Sequence, residues 1–217
     1  MNPVNKLVPS ITTMIRADHA LVMSTFHKYR LDASPQKKKA IVETICSAVE
    51  IHAKLEEELF YPAMRGAQPD LVEKSAPEHN EVRRQIASLR SMDPAGDEYD
   101  IAFFGLMRSI IHHVADEETV LLPAAERVLS DRLGELGLAM TRRRMELAAP
   151  RAGEIALNAA RSHAGLLTAL GALLAVGGVL AYRGTSRRSL FAWPTQRRVR
   201  KLVERPTQRL LGYMRHA

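Results

Sequence analysis

Aromatic residues and cysteine are scarce in this chain, and both shortages exclude classes of protein. Aromatic residues make up 5% of the 217 residues, and no segment alternates β-branched with polar residues, which argues against a β-sheet fold. The single cysteine, Cys46, rules out an internal disulfide and a thiolate metal cluster. The first ten residues lack the charged and apolar pattern of a secretory signal, so we expect a cytoplasmic location.

The remaining composition predicts helices. Hydrophobic residues make up 46% of the chain, enough for one bundle-sized core of roughly 130 to 150 residues with an appendage. Ala, Leu, Ile, Val, Met and Glu dominate, and these residues favour helix when they lack strand alternation. We therefore predict an all-α fold.

The net charge of +7 is concentrated at one end of the chain. Residues 183–217 hold ten basic residues and one acidic residue, a net +9, which leaves −2 for residues 1–182. The predicted bundle is thus nearly neutral, and the basic character belongs to a tail. We do not expect a nucleic-acid-binding face.

Apolar spacing and turn residues predict four bundle helices, each with one histidine on its apolar stripe. The predicted helices cover about residues 8–29, a stretch that follows the turn at 32–35 and ends near residue 62, then 69–92 and 98–130. The histidines in chain order are His19, His52, His79 and His113. Pro62 and Pro123 lie late in the second and fourth helices, and Pro77 lies inside the third, where we expect a kink.

The two halves of the bundle repeat one another. The segment from His52 to Pro62 aligns with that from His113 to Pro123, with histidine, two glutamates and proline at identical spacing. His79 follows His19 at nearly the same offset. The repeat predicts a pseudo-two-fold bundle made of two helix pairs.

The repeated spacing also predicts a metal site. Residues four apart lie on one helix face, so His52 with Glu56, and His113 with Glu117, can each direct two ligand atoms to one point. His19 adds an imidazole, as does His79. Four imidazoles and two carboxylates that can bridge indicate a dinuclear centre, which suits iron better than manganese or zinc.

A buried histidine is more often bonded to a backbone carbonyl than to a metal, but four histidines together with two glutamates favour the metal. Two glutamates buried without a metal would cost several kcal/mol per unpaired charge. The glutamates beside the motif, Glu57, Glu58 and Glu118, are interpreted as solvated or as outer partners of the ligands. For Asp18 and Glu78, which precede two of the histidines, both a surface position and contact with a ligand stay open.

This pattern resembles the hemerythrin family, in its bacterial His-His-Glu (HHE) cation-binding branch, over about residues 8–130. The resemblance implies an up-and-down four-helix bundle and a non-haem di-iron centre with two irons per chain, bridged by Glu56 and Glu117 and open to an oxo bridge. It also implies terminal ligation by the four histidines, His19, His52, His79 and His113. Ferritin-like bundles use Glu-x-x-His instead, which does not recur here.

One difference from oxygen-carrying hemerythrins bears on function. Those proteins have a fifth histidine one turn from the third-helix ligand, whereas this chain has Ser75 and Arg83 four residues before and after His79. They also place an aspartate five residues after the last histidine, where this chain has Glu117 at four. Reversible oxygen carriage is therefore not expected.

Two functions follow from the same ligands. The first is a di-iron protein that handles or senses oxygen, peroxide or nitric oxide, or supports iron homeostasis. The alternative is a non-catalytic, metal-responsive sensor or interaction module tethered to a membrane. Enzymatic turnover stays open, and the expected partners are a diatomic or peroxide ligand and a second copy of the chain in a homo-oligomer.

The C-terminal part predicts membrane contact. Residues 164–182 carry no charge, and their 19 residues would span roughly 28 Å as a helix. Three placements stay open for this segment: a transmembrane helix, an interfacial helix and burial in an oligomer. A single membrane span would separate the basic tail from the bundle, although both are expected on the cytoplasmic side. The predicted segments are a metal-binding bundle in 1–135, a helical connector in 136–163, this apolar helix in 164–182 and a lipid-binding basic tail in 183–217, all at the inner face of the cell membrane.

Overall fold

The structure is a computed structural model that describes residues 9–161, and within them the regular structure is entirely helical. The all-α prediction is confirmed. The helices are α1 (Ile11–Phe26), α2 (Pro35–Leu55), α3 (Tyr61–Met64), α4 (Pro69–Ser91), α5 (Asp97–Asp116), α6 (Leu122–Val128), α7 (Leu133–Ala148) and α8 (Ala152–Arg161).

Serine caps fix the starts of the first two helices. Ser10 precedes α1, and its hydroxyl accepts the backbone N–H of Thr13 at 3.1 Å. Ser34 precedes α2 and accepts the N–H of Lys37 at 3.4 Å, with Pro35 in the first turn. Proline suits this position because its missing N–H would have no helical partner there.

Two π-helical turns join shorter helices into long rods. The turn π1 (Glu56–Phe60) connects α2 to α3, and π2 (Glu117–Leu121) connects α5 to α6. The four rods of the bundle are therefore α1, α2–π1–α3, α4 and α5–π2–α6. Short connections between consecutive rods make neighbours antiparallel.

Two apolar clusters fill the bundle, one towards each end. The first contains Phe26, Ile45, Phe103 and their neighbours, and the second contains Ile15, Phe60 and theirs. Along every rod, the predicted metal ligands fall between the residues of the two clusters. The centre is thus a polar layer between two apolar ones, which removes it from bulk water.

Residues 133–161 form an appended segment that packs on the outside of the bundle. Its helix α7 lies against α1 and α2, and α8 lies against α2. Leu136 and Met140 bury their side chains in the second apolar cluster. Gly137 lies so close to the backbone that precedes α1 that a Cβ on residue 137 would be 2.1 Å from the carbonyl oxygen of Pro9.

The helix bounds differ from the predicted ones in small ways. Helix α1 ends at Phe26, and α4 continues through Pro77 to Ser91. Pro77 has no N–H, so the carbonyl of Glu73, four residues earlier, has no helical donor. Both residues are exposed, so water can donate to that carbonyl.

The described helices, from α1 to α8, include none that is long and apolar enough to cross a membrane. The apolar segment 164–182 and the basic tail 183–217, for which we predict lipid contact, lie outside the described residues.

Candidate metal centre

The structure brings all six predicted ligand residues into one buried layer. Four histidines come from four different rods, and each of the two glutamates starts a π-helical turn. Each of the six residues is at most 7% exposed, and they are His19, His52, Glu56, His79, His113 and Glu117.

The histidines form two pairs whose Nε2 atoms face each other. The distance is 3.2 Å between His19 and His52 and 3.1 Å between His79 and His113. Each pair therefore offers two imidazole nitrogens to one point. We call them the first pair, His19 and His52, and the second pair, His79 and His113.

Glu56 reaches both pairs with different oxygens. Its Oε1 lies 3.2 Å from Nε2 of His52, and its Oε2 lies 3.5 Å from Nε2 of His79. Glu117 also spans the pairs, because its Oε2 lies 3.3 Å from Nε2 of His19 and 3.6 Å from Nε2 of His113. Two carboxylates between two imidazole pairs form the arrangement that can bridge two metal ions.

A second layer of carboxylates binds the opposite nitrogen, Nδ1, of every histidine. Asp18 accepts from His52 at 3.3 Å, and Glu118 accepts from His19 at 2.9 Å. In the second pair, the contacts are His79 with Glu57 at 3.1 Å and His113 with Glu78 at 2.7 Å.

These contacts fix which nitrogen faces the centre with a lone pair. A carboxylate can only accept a hydrogen bond, so Nδ1 carries the hydrogen and Nε2 of the neutral ring is left to bind a metal. Burial, together with the neighbouring His19, lowers the pKa of His52 to about 4, although Asp18 opposes this. His52 is therefore neutral at pH 7 and presents Nε2 to the centre.

His19 behaves differently from His52. Burial lowers its pKa, but the neighbouring carboxylates of Glu117 and Glu118 outweigh burial and raise the pKa to about 9. Without metal, His19 therefore carries a proton at pH 7. A metal bound there must displace that proton.

Each outer carboxylate is in turn paired with a cation. Arg16 pairs with Glu118 at 3.1 Å, and Arg144 of the appended segment pairs with Asp18 at 2.5 Å. Arg83 pairs with Glu57, and Lys74 with Glu78 at 3.3 Å. Of the glutamates beside the motifs, Glu57 and Glu118 thus contact ligand histidines, whereas Glu58 pairs with Lys54 and Arg143 at the surface.

The charge and the unsatisfied oxygens of the two buried glutamates, Glu56 and Glu117, suit a bound metal. Oxygen Oε1 of Glu56 and Oε2 of Glu117 are buried and have no hydrogen-bond partner. Burial and the neighbouring Glu117 raise the pKa of Glu56 well above its ordinary value. Burial also raises that of Glu117, but His113 and His19 outweigh it, and the pKa is lowered. Metal ions between these carboxylates would remove the repulsion and satisfy both oxygens.

The π-helical turns follow from the prolines. In a regular α-helix, residue 62 would donate its N–H to residue 58, but Pro62 has no N–H and its ring would crowd that carbonyl. The preceding N–H, of Tyr61, bonds instead to the carbonyl of Glu56, five residues back. Leu122 and Glu117 repeat this bond before Pro123. Such widened turns are frequent at functional sites.

Tyr61 also faces the centre, and the sequence analysis did not identify it. Its hydroxyl donates to Glu117 at 2.9 Å and to Glu56 at 3.2 Å, and it lies 3.3 Å from Nε2 of His79 and 3.5 Å from that of His113. Burial and the two glutamates raise its pKa well above the ordinary value. The phenol oxygen is thus a possible further ligand at the second pair.

An enclosed cavity of about 30 Å³ lies against the centre on the side of the first apolar cluster. All four histidines border it, together with apolar side chains that include Val22, Val49, Val82 and Val114. A cavity needs about 10 to 15 Å³, measured in this way, to hold one water. The space is therefore suited to a molecule of two or three heavy atoms.

Comparisons with known proteins agree with this geometry. The family model of the hemerythrin HHE cation binding domain matches residues 10–125. The crystal structure of a hemerythrin HHE cation binding domain-containing protein from Mycobacterium kansasii superimposes with a TM-score of 0.58 at 20% identity, covering 79% of this chain and 99% of that one. At this identity, the match supports the fold alone.

A DNA nickase from Nostoc sp. is 28% identical over 126 residues. The match covers 56% of this chain and 35% of the nickase, so this chain spans about a third of that relative.

Proposed function

Because this chain belongs to the hemerythrin HHE cation-binding family, we propose that its metal centre holds two iron ions and reacts with, or senses, a small oxidant or diatomic gas. The single observation that carries the proposal is the pair of facing imidazole sets, joined by Glu56 and Glu117. The candidate ligand atoms are nitrogen and oxygen, which suit iron, and Cys46 is buried in the first apolar cluster away from the centre.

The first iron would be held by His19 and His52, and the second by His79 and His113. Both glutamates would bridge, since each reaches both pairs. Tyr61 would add an oxygen beside the second pair. Iron supplies redox chemistry at this position, while the protein holds the ligands, orients their rings and excludes bulk water.

The surroundings of His79 favour reaction over reversible oxygen carriage. Four residues before it, Ser75 donates a hydrogen bond to Tyr61. Four residues after it, Arg83 binds Glu57. Neither position offers an imidazole, so Tyr61 would take the place of a fifth histidine at the second iron. The first iron, held by two imidazoles and two carboxylates, would keep positions open to an exogenous ligand. The cavity of about 30 Å³ limits that ligand to the size of dioxygen, nitric oxide or hydrogen peroxide.

The alternative, a sensor without turnover, would use the same ligands and is favoured by one contact. Arg144 connects the centre to a helix outside the four rods, so a change at the metal could reach the appended segment. The Nostoc relative is named as a DNA nickase. We do not propose DNA cleavage for this chain, because about two thirds of that protein lies outside the match.

The proposal is tested by the metal content of the purified chain after anaerobic loading with ferrous iron. We expect about two irons per chain. His52→Ala and His113→Ala should each lose metal, and Glu56→Ala should lose at least as much because it removes a bridge. His112→Ala and Glu58→Ala are the matched controls, since His112 is exposed and Glu58 pairs at the surface. One metal or none in the unmodified chain would contradict the dinuclear proposal.

Attachment to the inner face of the cell membrane stays a prediction from the sequence of residues 164–217. We expect the full chain to sediment with membranes and a chain ending at Arg161 to stay in the supernatant with its metal. Release by high salt would indicate adhesion of the basic tail to anionic lipid, whereas a need for detergent would indicate insertion of the apolar segment. Full-length chain that is monodisperse without detergent would contradict membrane attachment.

A further inference from the structure

Arg144 links the appended segment to one histidine of the metal centre. Its guanidinium binds both oxygens of Asp18, with Nη1 to Oδ1 at 2.5 Å and Nη2 to Oδ2 at 2.6 Å. The same Oδ2 accepts the hydrogen bond from Nδ1 of His52. A two-point contact of this kind fixes the plane of the carboxylate as well as its position. The orientation of the His52 ring therefore depends on a residue of α7.

The other three outer carboxylates are held differently. Their cations, Arg16, Arg83 and Lys74, belong to rods of the bundle itself, and their side chains are 35%, 40% and 49% exposed. The side chain of Arg144 is 11% exposed, as is that of Asp18. Exposed ion pairs contribute little, whereas removing one partner of a buried pair leaves an uncompensated charge. The centre thus has one outer contact that is buried, rigid and supplied from outside the four rods.

We propose that Arg144 is a positioning residue for the first pair, His19 and His52, and that it acts through Asp18. The inference rests on the proposed metal function and adds to it that the two metal positions are unequal. The outer contact of His52 depends on the seating of α7, whereas the outer carboxylates of the second pair are held by cations of the four rods. The appended segment is therefore part of the metal centre.

Helix α7 packs so tightly against the backbone before α1 that a larger side chain in the contact should shift the helix and, with it, Arg144. Gly137 lies directly against the backbone of Pro9, where a Cβ would meet the carbonyl oxygen at 2.1 Å. A larger residue there must push α7 away from α1, because the obstacle is backbone. Gly137 and Arg144 are seven residues apart, about two helical turns, so displacement at Gly137 should also move the guanidinium from Asp18.

The experiment compares Arg144→Gln with Arg143→Gln in the full chain. Arg143 lies on the same helix and binds Glu58, but Glu58 does not contact a histidine of the centre, so this variant removes a more exposed ion pair of the same helix without touching the first pair. Metal-free proteins are titrated with cobalt(II) and with ferrous iron against a chelator. For Arg144→Gln, we expect one metal to bind as in the unmodified chain and the other about 10- to 100-fold more weakly, whereas Arg143→Gln should bind both as before.

Two further variants keep the result interpretable if Arg144→Gln does not fold. Arg144→Lys keeps the charge but not the two-point contact and should weaken the same metal to a smaller extent. Gly137→Leu leaves every charge in place and should reproduce the effect of Arg144→Gln. Unchanged binding of both metals in Arg144→Lys and Gly137→Leu, or equal weakening of both metals, would overturn the inference.

Nitrogen NMR of the metal-free protein separates failure of this inference from failure of the proposed function. In the unmodified chain, both His52 and His113 should carry hydrogen on Nδ1. In Arg144→Lys, His52 should lose this fixed tautomer while His113 retains it. Absence of metal from the unmodified chain would remove the proposed function but leave this readout, and an unchanged His52 tautomer would overturn the role of Arg144.

Discussion

Each outer carboxylate binds a histidine that belongs to a different rod, and the arrangement follows the internal repeat of the chain. Asp18 precedes His19 but binds His52, and Glu78 precedes His79 but binds His113. The glutamates that follow the bridging positions cross over as well, Glu57 to His79 and Glu118 to His19. Each rod therefore supplies a ligand to the centre and a carboxylate that orients the ligand of another rod. This interlocking explains why all four imidazoles point inwards.

Individual ligands could be predicted from spacing, but their partners could not. The step of four from His52 to Glu56 fixes a common helix face whatever the neighbours are. Whether Asp18 faces water or a neighbouring rod depends on how the rods are rotated against each other, which one sequence does not state. Tyr61 was missed for the same reason: it lies beyond the step of four, and the widened π1 turn brings it to the centre.

Tyr61 breaks the pseudo-two-fold symmetry, since Leu122 occupies the equivalent place in the second half. Tyr61→Phe keeps the ring but removes the hydroxyl that contacts Glu56 and Glu117. If the phenol binds ferric iron, the protein should absorb visible light through charge transfer from the phenol oxygen, and Tyr61→Phe should lose that absorption while keeping its fold. Tyr99→Phe, a buried tyrosine in the first apolar cluster, is the control. An identical visible spectrum in Tyr61→Phe would show that the phenol is not a ligand.

Asp18 should make the stability of the metal-free protein depend on acid pH. Burial raises its pKa, but the bonds from His52 and Arg144 outweigh burial and lower the pKa to about 2 from 3.8. A lowered pKa means that ionised Asp18 stabilises the fold above about pH 4, and that this contribution is lost as the pH falls towards 2. Asp18→Asn should therefore reduce the free energy of unfolding by on the order of 2 kcal/mol at pH 6, and by less at pH 3.

Chemical denaturation of the two metal-free proteins at both pH values measures this difference. Asp32→Asn is the control, because Asp32 pairs with Arg30 on the exposed surface and should change stability little at either pH. A difference for Asp18→Asn that stays constant or grows between pH 6 and pH 3 would contradict the assignment.

At the scale of elements, Pro62 and Pro123 shape the centre although they lie late in their rods. The helical rods themselves were predictable, because apolar stripes, the Ser34-Pro35 start and the Asp93-Pro94 end each have a local cause. The π-helical turns were not predicted, since proline was expected only to end or interrupt a helix. The chain instead continues by shifting one hydrogen bond to a residue five positions back. Glu56 and Glu117, the proposed bridging residues, stand at the starts of the two shifted turns.

Replacing Pro62 should relax π1 without breaking the rod. In Pro62→Ala, the new N–H can bond to Glu58, four residues back, so a regular α-helical turn becomes available. The shorter turn would rotate Tyr61 relative to Glu56, and we expect about tenfold weaker metal binding with unchanged helix content by circular dichroism. Pro69→Ala, at the first turn of α4, should alter neither quantity. Metal binding in Pro62→Ala equal to that of the unmodified chain would mean that the π turn is not required.

Considered as a whole, the molecule encloses a polar layer that is unfavourable until it binds metal. Glu56 and Glu117 are at most 2% exposed, and the apolar clusters on either side exclude the water that would otherwise solvate them. The position of α7 over this layer could not be predicted, because its apolar residues indicate only that it is helical. What it covers is determined by contacts such as that of Gly137 with Pro9.

The enclosed cavity should select ligands by size, and it exists only because four rods meet around it. At about 30 Å³, it should admit hydrogen peroxide or nitric oxide but not the much bulkier cumene hydroperoxide. We expect the reduced, iron-loaded protein to react with the small ligands, to consume dioxygen that is not recovered under vacuum, and to leave cumene hydroperoxide unreacted.

A single added methylene tests whether the cavity is the route to the metal. Val114 lines the cavity and is 3% exposed, so Val114→Ile should partly fill the space and slow the reaction with hydrogen peroxide by about tenfold, a barrier of about 1.4 kcal/mol, with metal content unchanged. Val120→Ile makes the same change at a site that is 44% exposed and should react as the unmodified chain does. Stopped-flow spectra of the three proteins give the rates. Equal rates in all three, or rapid reaction with cumene hydroperoxide, would mean that ligands reach the irons by another path, and that the apolar walls around the four histidines serve packing alone.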